Sequence, residues 1–181
     1  MRMQYTAITL KKEAAAMGAA ALLGLLLLSG CAAARPGAAS HPEDPPERGW
    51  VTRALFLQPL YAAFQAEYDT ARVAKEFIPL IRSTSAGVTV TVFFGPWCSD
   101  SKREVPRFLK VADAAGMADS TIRLYALDRT KKSADGLSEK YGIEKVPTFI
   151  VMKQGEEVGR IVESPNVSME ADLLTILARA R

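Results

Sequence analysis

Residues 88–102 read VTVTVFFGPWCSDSK and join a predicted strand to the start of a predicted helix. The run Val88–Phe94 is β-branched and aromatic, is bounded by Gly87 and Gly95, and predicts a buried strand. Cys98 comes where the helix should begin. A helix N-terminus presents unpaired N–H groups and a partial positive charge, which stabilise a nearby thiolate. The stretch therefore predicts a nucleophilic cysteine at a strand–helix junction.

The residues around Cys98 add detail to this prediction. Ser101 and Glu104 have the spacing of a capping box, which would start the helix just past the sulfur. Trp97 is expected to shield one side of the sulfur. The alternative interpretation is a buried structural cysteine, since free cysteines often behave as small hydrophobic residues. The junction position favours a site.

The rest of the chain alternates strands and helices. Strands are predicted at 122–127, 148–152 and 158–162, helices follow residue 98 and span 134–141, and apolar spacing from Met169 predicts a closing helix. The strand–helix–strand unit predicts parallel pairing and the last two strands an antiparallel hairpin. Residues 53–82 show helical spacing, with Pro59 and Pro79 expected to kink or end those helices. We expect an α/β fold with a mixed sheet, helices on both of its faces, and N-terminal helices before it.

Four motifs resemble the thioredoxin superfamily across residues 88–181. Residues 97–102, WCSDSK, match the pattern W-C-x-x-C-K except at the second cysteine, and Pro106 matches a kink in the helix that follows. Residues 146–149, VPTF, resemble the loop whose proline is cis and faces the sulfur, and residues 153–159 resemble the last hairpin. The resemblance implies a thioredoxin-like fold. It also implies the site residues, which are Cys98 and Ser101 for catalysis and Trp97, Val146 and Pro147 for binding substrate.

Two departures from that pattern bear on the chemistry. Ser101 stands where thioredoxin has its resolving cysteine, and Val92 stands where it has a buried aspartate that accepts protons. A hydroxyl cannot form a disulfide, so an autonomous dithiol cycle is excluded. One thiol can still attack a disulfide and leave a mixed disulfide that another thiol resolves. Members of the superfamily with C-x-x-S suggest that Ser101 donates a hydrogen bond to the Cys98 thiolate.

Two charged residues are candidates for tuning the ionisation of the thiol. The Asp100 carboxylate repels a thiolate nearby, although it also suits a helix N-terminus. Arg129 lies in the basic loop 128–132, which follows the second strand and should end at the same sheet edge as Cys98. Residues 163–165 follow the last strand and should flank the same rim. For both loops, a solvated surface segment is the alternative.

The N-terminus has the pattern of a lipoprotein signal. Residues 1–30 combine three early basic residues with an apolar run, and residues 28–31, LSGC, resemble the bacterial lipobox. That resemblance implies cleavage before Cys31 and lipidation of its sulfur; an ordinary signal peptide or anchor with a chance cysteine is the alternative. Residues 31–49 then form a proline-rich tether, and residues 50–181 form the thioredoxin-like domain with its N-terminal helical extension.

Composition narrows the classes of function. The 181 residues are 49% hydrophobic and 24% charged with a net charge of +3, which excludes a disordered chain. The balance of 23 basic and 20 acidic residues makes nucleic acid an unexpected partner. Two cysteines are too few for a disulfide scaffold, and the single histidine, His41, falls in the tether. No metal or cofactor is expected.

The sequence therefore predicts a lipid-anchored protein of the cell envelope that exchanges thiols and disulfides through Cys98. Its partners would be envelope proteins with thiols or disulfides and an external thiol reductant, and the outer membrane is favoured because Ala32 follows Cys31. The alternative is a non-catalytic adaptor that binds extended peptides beside Pro147. A thiol peroxidase is a weaker third interpretation, because the usual threonine and arginine context is missing.

Overall fold

The computed structural model of the protein describes residues 44, 45 and 47–179. The predicted signal peptide, Cys31, His41 and most of the tether lie outside the described residues. Within them, five strands form one sheet in the order β1-β3-β2-β4-β5. The strands are β1 (Gly49–Val51), β2 (Val88–Phe94), β3 (Ile122–Ala126), β4 (Thr148–Lys153) and β5 (Glu156–Val162).

The pairing follows the predicted topology. β2 runs parallel to β3 and antiparallel to β4, and β4 pairs with β5 as an antiparallel hairpin. The expected mixed sheet is therefore confirmed. β1 was not expected, and it begins at Gly49, which the sequence places at the end of the tether. A three-residue edge strand antiparallel to β3 is too short to show a hydrophobic period.

Among residues 44, 45 and 47–179, five α-helices complete the fold. They are α1 (Ala62–Thr70), α2 (Ile78–Thr84), α3 (Ser99–Ala115), α4 (Leu137–Lys140) and α5 (Met169–Arg179). Single 3-10 turns lie at Arg53–Leu57, Pro59–Tyr61 and Asp119–Thr121. The predicted helix 134–141 is reduced to four residues, because Gly136 precedes it with a positive φ of 73° that an α-helix cannot include.

Pro59 and Pro79 start helices, whereas the sequence predicted that they would kink or end them. Pro59 opens a 3-10 helix, and Pro79 lies in the first turn of α2. At these positions proline needs no N–H partner, and its fixed φ suits a helix start. The expectation that both prolines kink or end helices was wrong.

The sheet separates two apolar clusters. Alternate residues of β2, including Val92 and Phe94, face a large cluster with α1, α2, α3 and α5. Phe93 faces the other way, into a smaller cluster with Tyr125 and Tyr141 beside α4. Helices therefore cover both faces, as predicted. None of the helices among the described residues has the length and apolar character needed to cross a bilayer.

An aromatic stack and an ion pair fix the N-terminal helices to the domain. Phe56 and Phe64 stack with ring centres 4.7 Å apart and both contact Phe94 edge-on. Arg53 donates two hydrogen bonds to Asp113, at 2.7 and 2.6 Å. Burial raises the pKa of Asp113, but hydrogen bonds from Arg53 and from Tyr68 outweigh it and hold that pKa below its ordinary value. The N-terminal helices thus pack on the face of the sheet that carries α3.

Candidate active site

Cys98 is the N-cap residue of α3 and is half-buried. Its backbone is extended, and its carbonyl accepts the first hydrogen bond of the helix from the Lys102 N–H, at 3.0 Å. Its side chain occupies the position from which serine or aspartate would accept hydrogen bonds of the first turn. The predicted junction is confirmed. The predicted capping box is wrong, because α3 starts at Ser99 and already contains both Ser101 and Glu104.

The loop before β4 faces the sulfur. The Cys98 thiol donates to the Val146 carbonyl at a sulfur–oxygen distance of 3.3 Å. The Val146–Pro147 peptide bond is cis. The Pro147 carbonyl accepts a hydrogen bond from the Glu163 N–H at 2.7 Å, so the segment after β5 reaches the same rim. The structure thus brings Cys98, Val146 and Pro147 together.

Trp97 forms one wall of the site. Its indole Nε1 donates to the Leu127 carbonyl at 3.0 Å, and its ring packs beside Cys98 in the smaller apolar cluster. A Cβ on Gly95 would lie 2.8 Å from Trp97 Cε2, so the ring requires glycine there. Neither Leu127 nor Gly95 was expected to position the tryptophan; a glycine two residues before an aromatic side chain was the available sequence signal.

Ser101 is fully buried in the first turn of α3. Its Oγ accepts a hydrogen bond from the Gly95 N–H at 3.1 Å, which ties the end of β2 to the helix. The hydroxyl therefore has a structural role that the sequence did not indicate. The hydrogen bond to the Cys98 thiolate that the resemblance suggested remains a prediction.

The two candidate tuning residues are both engaged in ion pairs. Asp100 accepts a hydrogen bond from Arg103 at 2.7 Å, which compensates part of its negative charge. Arg129 stacks on Trp97, with its guanidinium carbon 5.0 Å from the ring centre. The pKa of Arg129 is raised, chiefly by its hydrogen bond to Asp44. Arg129 therefore lies against Trp97, the residue before Cys98, with its charge paired to Asp44.

The other rim residues have partners away from the sulfur. Lys132 lies 3.7 Å from Glu139 of α4, and Lys145 donates to Glu163 at 2.7 Å. Val92, at the position of the superfamily's aspartate, is fully buried and apolar. No cluster of three metal-binding side chains occurs among residues 44, 45 and 47–179. What the site offers chemically is one thiol at a helix N-terminus beside the loop that carries the cis Val146–Pro147 bond.

Comparisons with known proteins agree with this geometry. A sequence model of the thioredoxin family matches residues 60–175. A thioredoxin-like protein of Acanthamoeba polyphaga mimivirus is 24% identical over 99 residues, which cover 55% of this chain and 69% of that protein. Protein disulfide-isomerase A3 of Gallus gallus is 29% identical over 105 residues, covering 58% of this chain and 20% of that relative.

A solved structure shows the same fold over a longer stretch. A Pseudomonas aeruginosa protein of unknown function superposes with a TM-score of 0.54 and 14% identity, covering 72% of this chain and 92% of that one. The family match spans more than half of the chain, and the mixed sheet agrees with it. The chain belongs to the thioredoxin family.

Proposed function

We propose that the protein carries out thiol–disulfide exchange with other proteins of the cell envelope through the single thiol of Cys98. The observation that carries this proposal is the position of Cys98, which is the N-cap of α3 with its sulfur 3.3 Å from the Val146 carbonyl. A partner chain laid along the Val146–Pro147 loop brings its own sulfur to Cys98. The thioredoxin fold supports exchange of this general kind.

The exchange proceeds in two balanced steps. The Cys98 thiolate attacks one sulfur of a partner disulfide, which forms a mixed disulfide while the other partner sulfur leaves as a thiolate. Because Ser101 supplies no second thiol, an external thiol must then attack the mixed disulfide. That attack displaces Cys98 as a thiolate and joins the partner sulfur to the reductant. A second thiol of the reductant then displaces the partner sulfur as a thiolate and closes the reductant's own disulfide, so both electrons come from the reductant. The protein therefore acts as a monothiol reductase or isomerase that depends on the reductant.

A purified full-length chain with Cys31→Ser, in which Cys98 is the one remaining cysteine, tests the two steps separately. We expect reaction with a disulfide-linked peptide dimer to give one peptide adduct per chain, attached at Cys98, with one peptide thiol released. The adduct should persist until dithiothreitol is added, because the chain has no resolving thiol. Intact and digested masses measure both outcomes, and the Cys98→Ser variant is the control. An absent adduct, or its release without added thiol, would contradict the proposal.

We also propose that the protein is anchored to the membrane through lipid on Cys31. In cells fed labelled palmitate, the wild type and the Cys98→Ser variant should carry the label and the Cys31→Ser variant should not. The labelled chain should have lost residues 1–30, since cleavage before the cysteine accompanies lipidation in proteins with this motif. A full-length unlabelled chain in the membrane fraction would contradict the anchor.

A further inference from the structure

The chain enters the domain along the rim of the site. We call residues 44, 45, 47 and 48 the entry segment. The Arg129 guanidinium donates two hydrogen bonds to Asp44, from Nε to Oδ2 at 2.6 Å and from Nη2 to Oδ1 at 2.7 Å. Arg48 donates from Nε to Asp128 at 3.1 Å. Two successive residues of the loop after β3 therefore hold the entry segment beside the site.

Arg129 connects the entry segment to the reacting sulfur. One face of its guanidinium covers Trp97, the residue before Cys98, and its side chain is 53% exposed. The Asp44 carboxylate is only 9% exposed, so it lies in a recess rather than in open solvent. A planar guanidinium that stacks on an aromatic ring and binds both oxygens of one carboxylate is a geometry by which arginine recognises acidic groups.

We propose that Arg129 recognises a carboxylate of the exchange partner and that Asp44 occupies this position when no partner is bound. This inference rests on the proposed function of Cys98. It names the class of partner as proteins with an aspartate or glutamate close to the reactive disulfide. It also makes the entry segment a competitor, since Asp44 already takes the Nε and Nη2 donors of that guanidinium.

Asp44 and a partner carboxylate can replace each other reversibly at Arg129. Solvent reaches this ion pair from the side of Arg129, which weakens it, so Asp44 can leave Arg129 without unfolding the domain. Asp44 belongs to the same chain, which gives it a high effective concentration at Arg129. An acidic residue on a partner gains the same advantage once its disulfide lies against Cys98. Partners without an acidic residue leave Asp44 in place.

Two small disulfides separate recognition of charge from the reactivity of the thiol. Dithiobis(nitrobenzoate) carries a carboxylate on each ring, whereas dithiodipyridine is uncharged. Both react by the same step, in which the Cys98 thiolate forms a disulfide with one aromatic sulfur and the second aromatic thiolate leaves. The ratio of the two second-order rate constants, anionic over neutral, therefore reports the preference for a carboxylate. For each disulfide, the rate constant of the Cys98→Ser variant is subtracted from the rate constant of every other full-length chain, so that only reaction at Cys98 is compared.

We expect Asp44→Asn to raise this ratio about threefold and Arg129→Gln to lower it about threefold. The double variant should match Arg129→Gln, because the proposed effect of Asp44 on the ratio is exerted through the guanidinium. The matched control is Glu157→Gln. Glu157 also forms a bidentate pair, with Arg160, in which both nitrogen–oxygen distances are 2.6 Å. It lies opposite Met152, near the end of β4 that is far from Pro147, so the variant removes the same charge away from the site. That variant should leave the ratio unchanged.

Three results would overturn the inference. They are an unchanged ratio in Asp44→Asn, an unchanged ratio in Arg129→Gln, and an equal rise in Asp44→Asn and Glu157→Gln, which would indicate a general effect of net charge. A different result overturns the proposed function instead. If the wild type reacts with neither disulfide faster than Cys98→Ser does, Cys98 is not an exchanging thiol, whatever Arg129 recognises.

Discussion

In cells, the Cys98→Ser variant is expected to form none of the disulfide-linked complexes that the wild type forms. Cys98 and Cys31 are the two cysteines of the chain, and the sulfur of Cys31 is proposed to carry lipid. Serine is a preferred N-cap residue, so α3 should keep its start while the reacting sulfur is lost. Non-reducing gels of acid-quenched cells, with detection of the protein, measure the loss. Circular dichroism of the purified variant should match the wild type.

The Ser101→Cys variant is the matched counterpart. It places a second thiol one helical turn from Cys98, where it can attack the mixed disulfide, release the partner as a thiol and close an intramolecular disulfide. We expect the trapped complexes to fall about tenfold although both thiols are present. Loss of the hydrogen bond from Gly95 to the Ser101 hydroxyl should cost about 1 kcal/mol of stability. Complexes that persist in both variants would exclude Cys98 as the exchanging group.

Much of the fold could be predicted because its signals are local. The β-branched run 88–94 predicts β2 over its full length, and the motif at Val146–Pro147 locates the start of β4. The errors arise where a tertiary contact overrides local pattern. Ser101 has the spacing of a capping residue, but its oxygen accepts a hydrogen bond from the Gly95 N–H, and Cys98 is the N-cap residue instead.

The candidate site was predicted where sequence neighbours define it and missed where distant segments meet. Parallel strand ends predict Arg129 near Cys98, and in the structure Arg129 lies over the ring of Trp97, the residue before Cys98. Its bidentate partner, Asp44, lies 85 residues away in a proline-rich stretch with no periodic pattern. Pairing of charges across such separations is set by topology, which the sequence pattern alone does not specify.

Phe94→Ala is expected to lower the free energy of unfolding by about 4 kcal/mol. The side chain is fully buried at the end of β2 and contacts the rings of Phe56 and Phe64, with centres 5.6 and 6.0 Å away. Truncation leaves a cavity under the N-terminal helices and removes two aromatic contacts. The variant therefore loses both the free energy of burying the ring and the packing contacts around it. Urea unfolding followed by circular dichroism measures the change. A loss under 1 kcal/mol would contradict the packing described for this face.

Phe93→Ala is the control that separates the two faces of the sheet. Phe93 is equally buried and adjacent in β2, but its ring contacts Tyr125 and Tyr141 on the side of α4. Both variants should lose comparable global stability. Only Phe94→Ala should release α1, because a local opening that detaches this helix no longer breaks the edge-on contact between Phe94 and Phe64. Hydrogen exchange across residues 62–70 should therefore accelerate more in Phe94→Ala than in Phe93→Ala, and equal acceleration would show that α1 does not depend on this contact.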